Sequence, residues 1–236
     1  MSCRILSTKK LLPETAREAT NKNIHLREVE FISVKTILTR EKWNEVIELM
    51  EENHVVVFTS SNAVESLEKY MQSYVNHITP HWKIYCLSGR TKKLIENIEV
   101  IEVQISGTAG NATELSRLII NANEKEIVFF CGDQRRDELP IMLKSHGISV
   151  RECIVYETIE TPSIISESYD AILFFSPSAV KSFFSANQIQ DSAVCFAIGE
   201  TTANAIKEMT KSEIVISKEA SQESLMDAVL SFCRNK

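Results

Sequence analysis

IVFFCGDQRRDELPIMLKSHGISVRECIVYET, residues 127–158, reads as strand, turn, helix, stop and strand. Ile127 to Cys131 favour β structure and end at Gly132-Asp133, where glycine tolerates a turn and aspartate can cap a helix. Leu139, Met142 and Leu143 share one helical face, and Gly147 stands where a helix stops. Ile148 to Tyr156 forms a second apolar run. A copy of this unit spans Arg4 to Val34, with Ile24-His-Leu-Arg-Glu-Val29 matching Ile148-Ser-Val-Arg-Glu-Cys153.

The echo continues. Phe58-Thr-Ser-Ser-Asn-Ala-Val64 pairs with Phe174-Phe-Ser-Pro-Ser-Ala-Val180, and Ile84-Tyr-Cys-Leu-Ser-Gly89 with Val194-Cys-Phe-Ala-Ile-Gly199. Ile105-Ser106, followed by Leu115, pairs with Ile216-Ser217, followed by Leu225. Solenoid repeats are shorter, so this spacing predicts a duplicated α/β unit. Between the repeats the pattern predicts strands at 4–8, 55–58, 83–87, 99–105, 171–175, 194–198 and 214–216. Residues 24–35 read as one long extended run. Helices are predicted at 13–21, 41–53, 62–74, 113–121 (capped by Thr113) and 223–234, with others after Gly89, Ser176 and Gly199. Strands alternating with helices imply parallel sheets covered on both sides.

Each half needs five strands, but only three follow residue 160. The N-terminal strand, which matches 127–131, supplies the deficit. The first domain is therefore expected to be discontinuous, 1–33 plus 161–236, with 37–157 as the second. Residues 26–36 and 150–160 would cross between them as a paired linker, a geometry that permits closure.

The 236 residues suit two small domains. A net charge of −6 and the absence of any Lys/Arg run argue against a nucleic-acid partner. No apolar run approaches the roughly 20 residues of a membrane span, and no signal-peptide pattern opens the chain. Cys3, Cys86, Cys131, Cys153, Cys195 and Cys233 are scattered without C-x-x-C spacing. They read as reduced core residues, neither metal ligands nor disulfides, in a cytoplasmic protein.

In open α/β sheets, ligands bind beyond the carboxyl ends of strands. The residues predicted there are Thr8-Lys9, Thr59-Ser60 with Asn62, Ser88-Gly89, Gly132-Asp133, Ser176-Pro177-Ser178 and Gly199-Glu200-Thr201-Thr202. Any one such loop reads as a helix cap or turn. Six on one rim, in two facing domains, point to a cleft whose hydroxyls and helix N-terminal amides receive carboxylates or phosphates. Neither a Walker A loop nor G-x-G-x-x-G occurs, and no Ser-His-Asp set can be assigned. His77 and His81 read as surface residues without metal-ligand spacing. Tyr156, in a linker strand, remains as an acid–base candidate, although a strand tyrosine is ordinarily a packing residue.

Together C-G-x-x-R-R-x-x-L-P (Cys131–Pro140), K-x-x-G-I (Lys144–Ile148), V-Y-x-T (Val155–Thr158), F-T-S (Phe58–Ser60), F-F-S-P-S (Phe174–Ser178), A-I-G-x-T-T-A (Ala197–Ala203) and A-G-N-A (Ala109–Ala112) resemble the uroporphyrinogen-III synthase family, in order and over nearly the whole chain. The family's usual T-R turn is Thr8-Lys9 here, and Thr91 stands one residue short of the Thr202 position. The resemblance implies two flavodoxin-like domains joined by a two-stranded β linker. It implies cyclisation of the linear tetrapyrrole hydroxymethylbilane to uroporphyrinogen III, with inversion of ring D and loss of water, by a monomer needing no cofactor. It assigns Tyr156 a catalytic role and Thr8, Lys9, Thr59, Ser60, Asn62, Gly89, Thr91, Gly132, Ser176, Ser178, Gly199, Thr201 and Thr202 a substrate-binding role. The second reading is a noncatalytic binder of an anionic tetrapyrrole or other metabolite.

Overall fold

A computed structural model describes residues 3–22, 24–73, 80–98, 102–190 and 192–234. In chain order they form β1 (Arg4–Ser7), α1 (Pro13–Asn21), β2 (His25–Glu28), β3 (Ile32–Thr36), α2 (Arg40–Glu51), β4 (Val55–Phe58), α3 (Ser61–Ser73), β5 (His81–Leu87), α4 (Arg90–Glu96) and β6 (Glu102–Ala109). There follow α5 (Ala112–Asn121), β7 (Glu126–Gly132), α6 (Glu138–Ser145), β8 (Ser149–Glu160), β9 (Ala171–Phe174), α7 (Pro177–Ala186), β10 (Val194–Ala197), α8 (Glu200–Met209), β11 (Ile214–Ile216) and α9 (Gln222–Arg234).

The chain divides into two compact units, Met1–Ser33 with Ile159–Lys236, and Val34–Thr158. The first holds a sheet of order β2-β1-β9-β10-β11, parallel throughout. The second sheet runs β3-β8-β7-β4-β5-β6, parallel from β8 to β6. Matching β7 to β1 and β8 to β2 gives both sheets the flavodoxin-like order 2-1-3-4-5. The duplication is thus real, with the second unit's strands permuted in sequence. Strands β3 and β8 are neighbours, and both cross the unit boundary.

Period-two alternation sends side chains to the two faces of each sheet. In the first unit Ile5, Leu173 and Phe196 meet Ala19 of α1 and Leu225 and Val229 of α9, while Leu6, Ile172 and Phe174 meet Val180 and Phe183 of α7 and Ile206 of α8. In the second, Phe58, Phe130 and Trp82 pack with Val46 and Leu49 of α2 and Leu67 and Tyr70 of α3. The Phe58 and Phe130 rings stack at 5.3 Å, and the Trp82 indole N–H donates to the Leu49 carbonyl at 3.0 Å. Val57, Phe129 and Cys131 face Leu115 and Ile119 of α5 and Leu139 and Leu143 of α6.

Several sequence expectations are corrected. Cys3 and Cys233 are joined by a disulfide, because β1 and α9 bring the two chain ends together from 230 residues apart. The run 24–35 is two strands in different sheets, broken around Glu30 and Phe31. Thr113 is not the cap of α5; Asn111 is, its side chain accepting from the Glu114 N–H at 2.9 Å. Asp133 does not cap α6, which begins at Glu138, because Asp133 instead accepts the Thr158 N–H at 2.9 Å. Gly147, with φ 76°, does follow α6 as its stop. His77 and residues 99–101 lie outside the described residues.

The other four cysteines are free and buried. Burial pushes Cys86 to about 11 and Cys131, Cys153 and Cys195 to about 12, against an ordinary 9.0. Their folded pKa values lie above the unfolded ones, so above pH 9 the unfolded chain sheds protons that the native state keeps. Stability is therefore expected to be complete below pH 9 and to fall as pH rises toward 12, each thiol contributing up to about 1.4 kcal/mol per pH unit. Urea unfolding at pH 7 to 10.5 measures this, and a flat profile above pH 9 would contradict it.

Candidate active site

Because the strands are parallel, their carboxyl ends share one edge of each sheet. The strand order reverses between β1 and β9 in the first unit and between β7 and β4 in the second, where doubly wound folds bind ligands. Thr8 and Lys9 follow β1; Ser176 and Ser178 follow β9; Gly199, Thr201 and Thr202 follow β10. In the second unit Thr59, Ser60 and Asn62 follow β4, Gly132 ends β7, and Gly89 and Thr91 follow β5. Each unit therefore gathers its share of the predicted residues at one edge.

Not every predicted side chain is available there. The Thr8 hydroxyl is fully buried and donates to the Leu173 carbonyl at 2.7 Å, tying β1 to β9. Thr202 and Thr91 are buried in the first turns of α8 and α4. Ser176 caps α7 by accepting the Ala179 N–H at 3.1 Å. Thr202 N–H donates to the Gly199 carbonyl at 3.1 Å, and the amides ahead of it belong to the first turn, which has no helical carbonyl to bond. Lys9, Gly89 and Thr201 are exposed; Thr59, Ser178 and Gly199 are half-buried.

The second unit holds the more developed constellation. Tyr156 on β8 is 9% exposed, and its phenol donates to Ser60 Oγ at 3.1 Å. Ser60 Oγ also accepts the Asn62 N–H at 3.1 Å as the chain enters α3. Burial raises the phenol above its ordinary pKa of 10.0, partly opposed by hydrogen bonding with Ser60 and Asn62. At neutral pH the group is protonated, a donor rather than a base. Sequence reasoning missed the supports around it. Asp133 N–H donates to the Tyr156 carbonyl at 3.1 Å, and the Gln134 side-chain amide donates to the Thr158 carbonyl at 3.2 Å. Arg135 is committed to Glu152 and Asp137, whereas Arg136 beside it is exposed. The R-R pair in the motif gives no sign of which arginine is engaged. Among the described residues no cluster of His, Cys, Asp or Glu could hold a metal ion.

Of the two hydrogen bonds lost with the Ser60 hydroxyl, the one that bears on the Tyr156 phenol is worth about 0.5–1.5 kcal/mol. Ser60→Ala is therefore expected to lower turnover about two- to twelvefold. Steady-state kinetics checks this, and complete loss of turnover in a folded variant would contradict a shared site.

Two doubly wound units, each with hydroxyls and first-turn amides at its switch point, define an α/β protein of duplicated flavodoxin-like design. The model of the uroporphyrinogen-III synthase HemD family (HEM4) matches residues 15–227, and the chain belongs to that family. It is 26% identical over 218 residues to the uroporphyrinogen-III synthase of Saccharomyces cerevisiae, covering 77% of each protein. In fold it is similar to the Helicobacter pylori uroporphyrinogen-III synthetase (TM-score 0.68, 19% identity, 98% of this chain and 99% of that one). A triple mutant of the Thermus thermophilus uroporphyrinogen III synthase gives TM-score 0.64 at 13% identity, covering both chains fully. No described helix is long and apolar enough to cross a membrane.

Proposed function

We propose that this chain converts hydroxymethylbilane to uroporphyrinogen III, with inversion of ring D and loss of water. Family membership supports the reaction, and the Tyr156 phenol held on Ser60 at a switch point is the observation that carries the chemistry. The substrate sheds a hydroxyl from its ring A hydroxymethyl group, and that oxygen leaves as water only if a proton reaches it. A buried, protonated phenol supplies one by exchanging Ser60 Oγ for the leaving oxygen. A ring proton lost as ring D becomes aromatic again restores the phenol, so the bilane yields macrocycle plus water with no redox change.

The substrate carries eight carboxylates and the protein a net charge of −6, so long-range attraction works against binding. Local donors must do it. We assign that task to Lys9, Thr59, Asn62, Gly89, Ser178, Gly199 and Thr201 at the two edges, with first-turn amides beside them. Thr8, Thr91, Ser176 and Thr202 shape those loops from beneath. Holding the bilane so that ring D is attacked at its substituted position is the larger part of catalysis, because an unassisted bilane closes without inversion. We further assign the protein to the cytoplasm as a monomer with no nucleic-acid partner; sedimentation as a dimer would correct the oligomeric part.

The test is turnover at substoichiometric protein. A catalyst forms many equivalents of the type III isomer per chain, whereas beside a binder the bilane closes only without inversion.

A further inference from the structure

We infer that Gly132 is a positioning residue for the Tyr156 ring rather than a contact for substrate. The inference rests on the proposed role of Tyr156 only where activity is read. Along β8, alternation puts Val150 and Ile154 against the α5/α6 core and Cys153 and Val155 against the α2/α3 core. Tyr156 should then point with Ile154. It joins Cys153 and Val155 instead. The break falls where the register does: Cys131 pairs with Ile154, but Gly132 pairs with Tyr156, leaving Val155 as an extra residue. Bulges of this kind re-aim a side chain, and here the bulge turns Tyr156 toward Ser60.

The re-aimed ring lies against the backbone of Gly132. A Cβ at Gly132 would fall 2.8 Å from the phenol oxygen and closer still to Cε2 and Cζ. Glycine is required for space, since its φ lies outside the left-handed region. The ring cannot retreat freely, because Asp133 N–H holds the Tyr156 carbonyl and Thr158 N–H is held by Asp133. Phe130 and Phe58, in the same core cluster as Tyr156, are fully buried. An added methyl must therefore lift the phenol from Ser60. Gly132 is itself buried, with the ring lying where its side chain would be.

Two double-mutant cycles test this. In thermal melts, Gly132→Ala should lower the midpoint by several degrees in the native background and by about a degree or less beside Tyr156→Leu, whose shorter side chain has no Cε or Cζ. If Gly132→Ala alone does not fold, Gly132→Ala/Tyr156→Leu should restore folding. In steady-state assays, Gly132→Ala should cut kcat by much of the Tyr156→Phe factor at unchanged KM, and adding it to Tyr156→Phe should cost under threefold more. Equal midpoint losses in both backgrounds, failure of the Leu rescue, or a multiplicative loss with raised KM would overturn the inference. The melts need no turnover, so they decide about Gly132 even if the bilane proves not to be the substrate.

Discussion

Tyr156→Phe is expected to lower turnover by about 10²- to 10⁴-fold, the usual contribution of a general acid, while the protein keeps its fold. The substitution removes only the phenol oxygen. The ring still packs with Cys153 and Val155 over Gly132, and Ser60 keeps the Asn62 N–H. KM should change little, because the proton matters as the hydroxyl leaves and not while substrate sits in the ground state. The pH dependence follows the same group. Its pKa is raised by burial, so ionisation would remove the donor and lower the rate only above the ordinary value of 10.0. Between pH 7 and 9 the native enzyme should show no loss attributable to this phenol. Steady-state rates beside a thermal melt separate chemistry from folding, and an unchanged rate for Tyr156→Phe would end its catalytic assignment.

Residues 34–158 are expected to fold alone, whereas residues 1–158 should carry an unfolded N-terminal segment. The second unit contains both faces of its own core, from Val46 and Phe58 on one side to Leu115 and Leu143 on the other. Strand β1 is different. Ile5 and Leu6 are fully buried, against residues from β9, β10, α7 and α9 that all follow residue 158. Without those partners each exposes apolar surface worth about 1.5–3 kcal/mol, and Ser7 and Thr8 lose the Leu173 strand edge. Hydrogen exchange should therefore find the amides of 4–7 and 25–28 unprotected in the 1–158 fragment and the β4, β5 and β7 amides protected in both. Protection of β1 in the 1–158 fragment would contradict this division of the chain.

Much of the fold is legible because it rests on local patterns. The Ile24 and Ile148 copies reveal the duplication, and the missing strands after residue 160 point to β1 as the complement. Continuous apolar runs such as Ala171–Phe174 mark strands buried on both faces. What escaped reading depends on partners distant in sequence. The Cys3–Cys233 bridge needs the position of α9 against β1, which no spacing encodes. Asp133 has the sequence context of a cap, but the Thr158 amide of the next strand competes for it. The Tyr156 position could be read from the V-Y-x-T motif, yet its direction could not, because alternation along β8 points it to the wrong face. Only the register against β7 reveals the bulge. The residues at the carboxyl edges of the sheets were legible as a set and less so singly: Thr8 and Thr202 look like exposed loop hydroxyls in sequence, yet folding buries both.

The central claim is that this protein closes the bilane with inversion. The direct measurement is isomer analysis of the porphyrinogen formed from hydroxymethylbilane, oxidised to porphyrin and separated chromatographically. The type III isomer should dominate at a rate proportional to protein concentration. Type I alone, formed at the rate seen without protein, would contradict the claim.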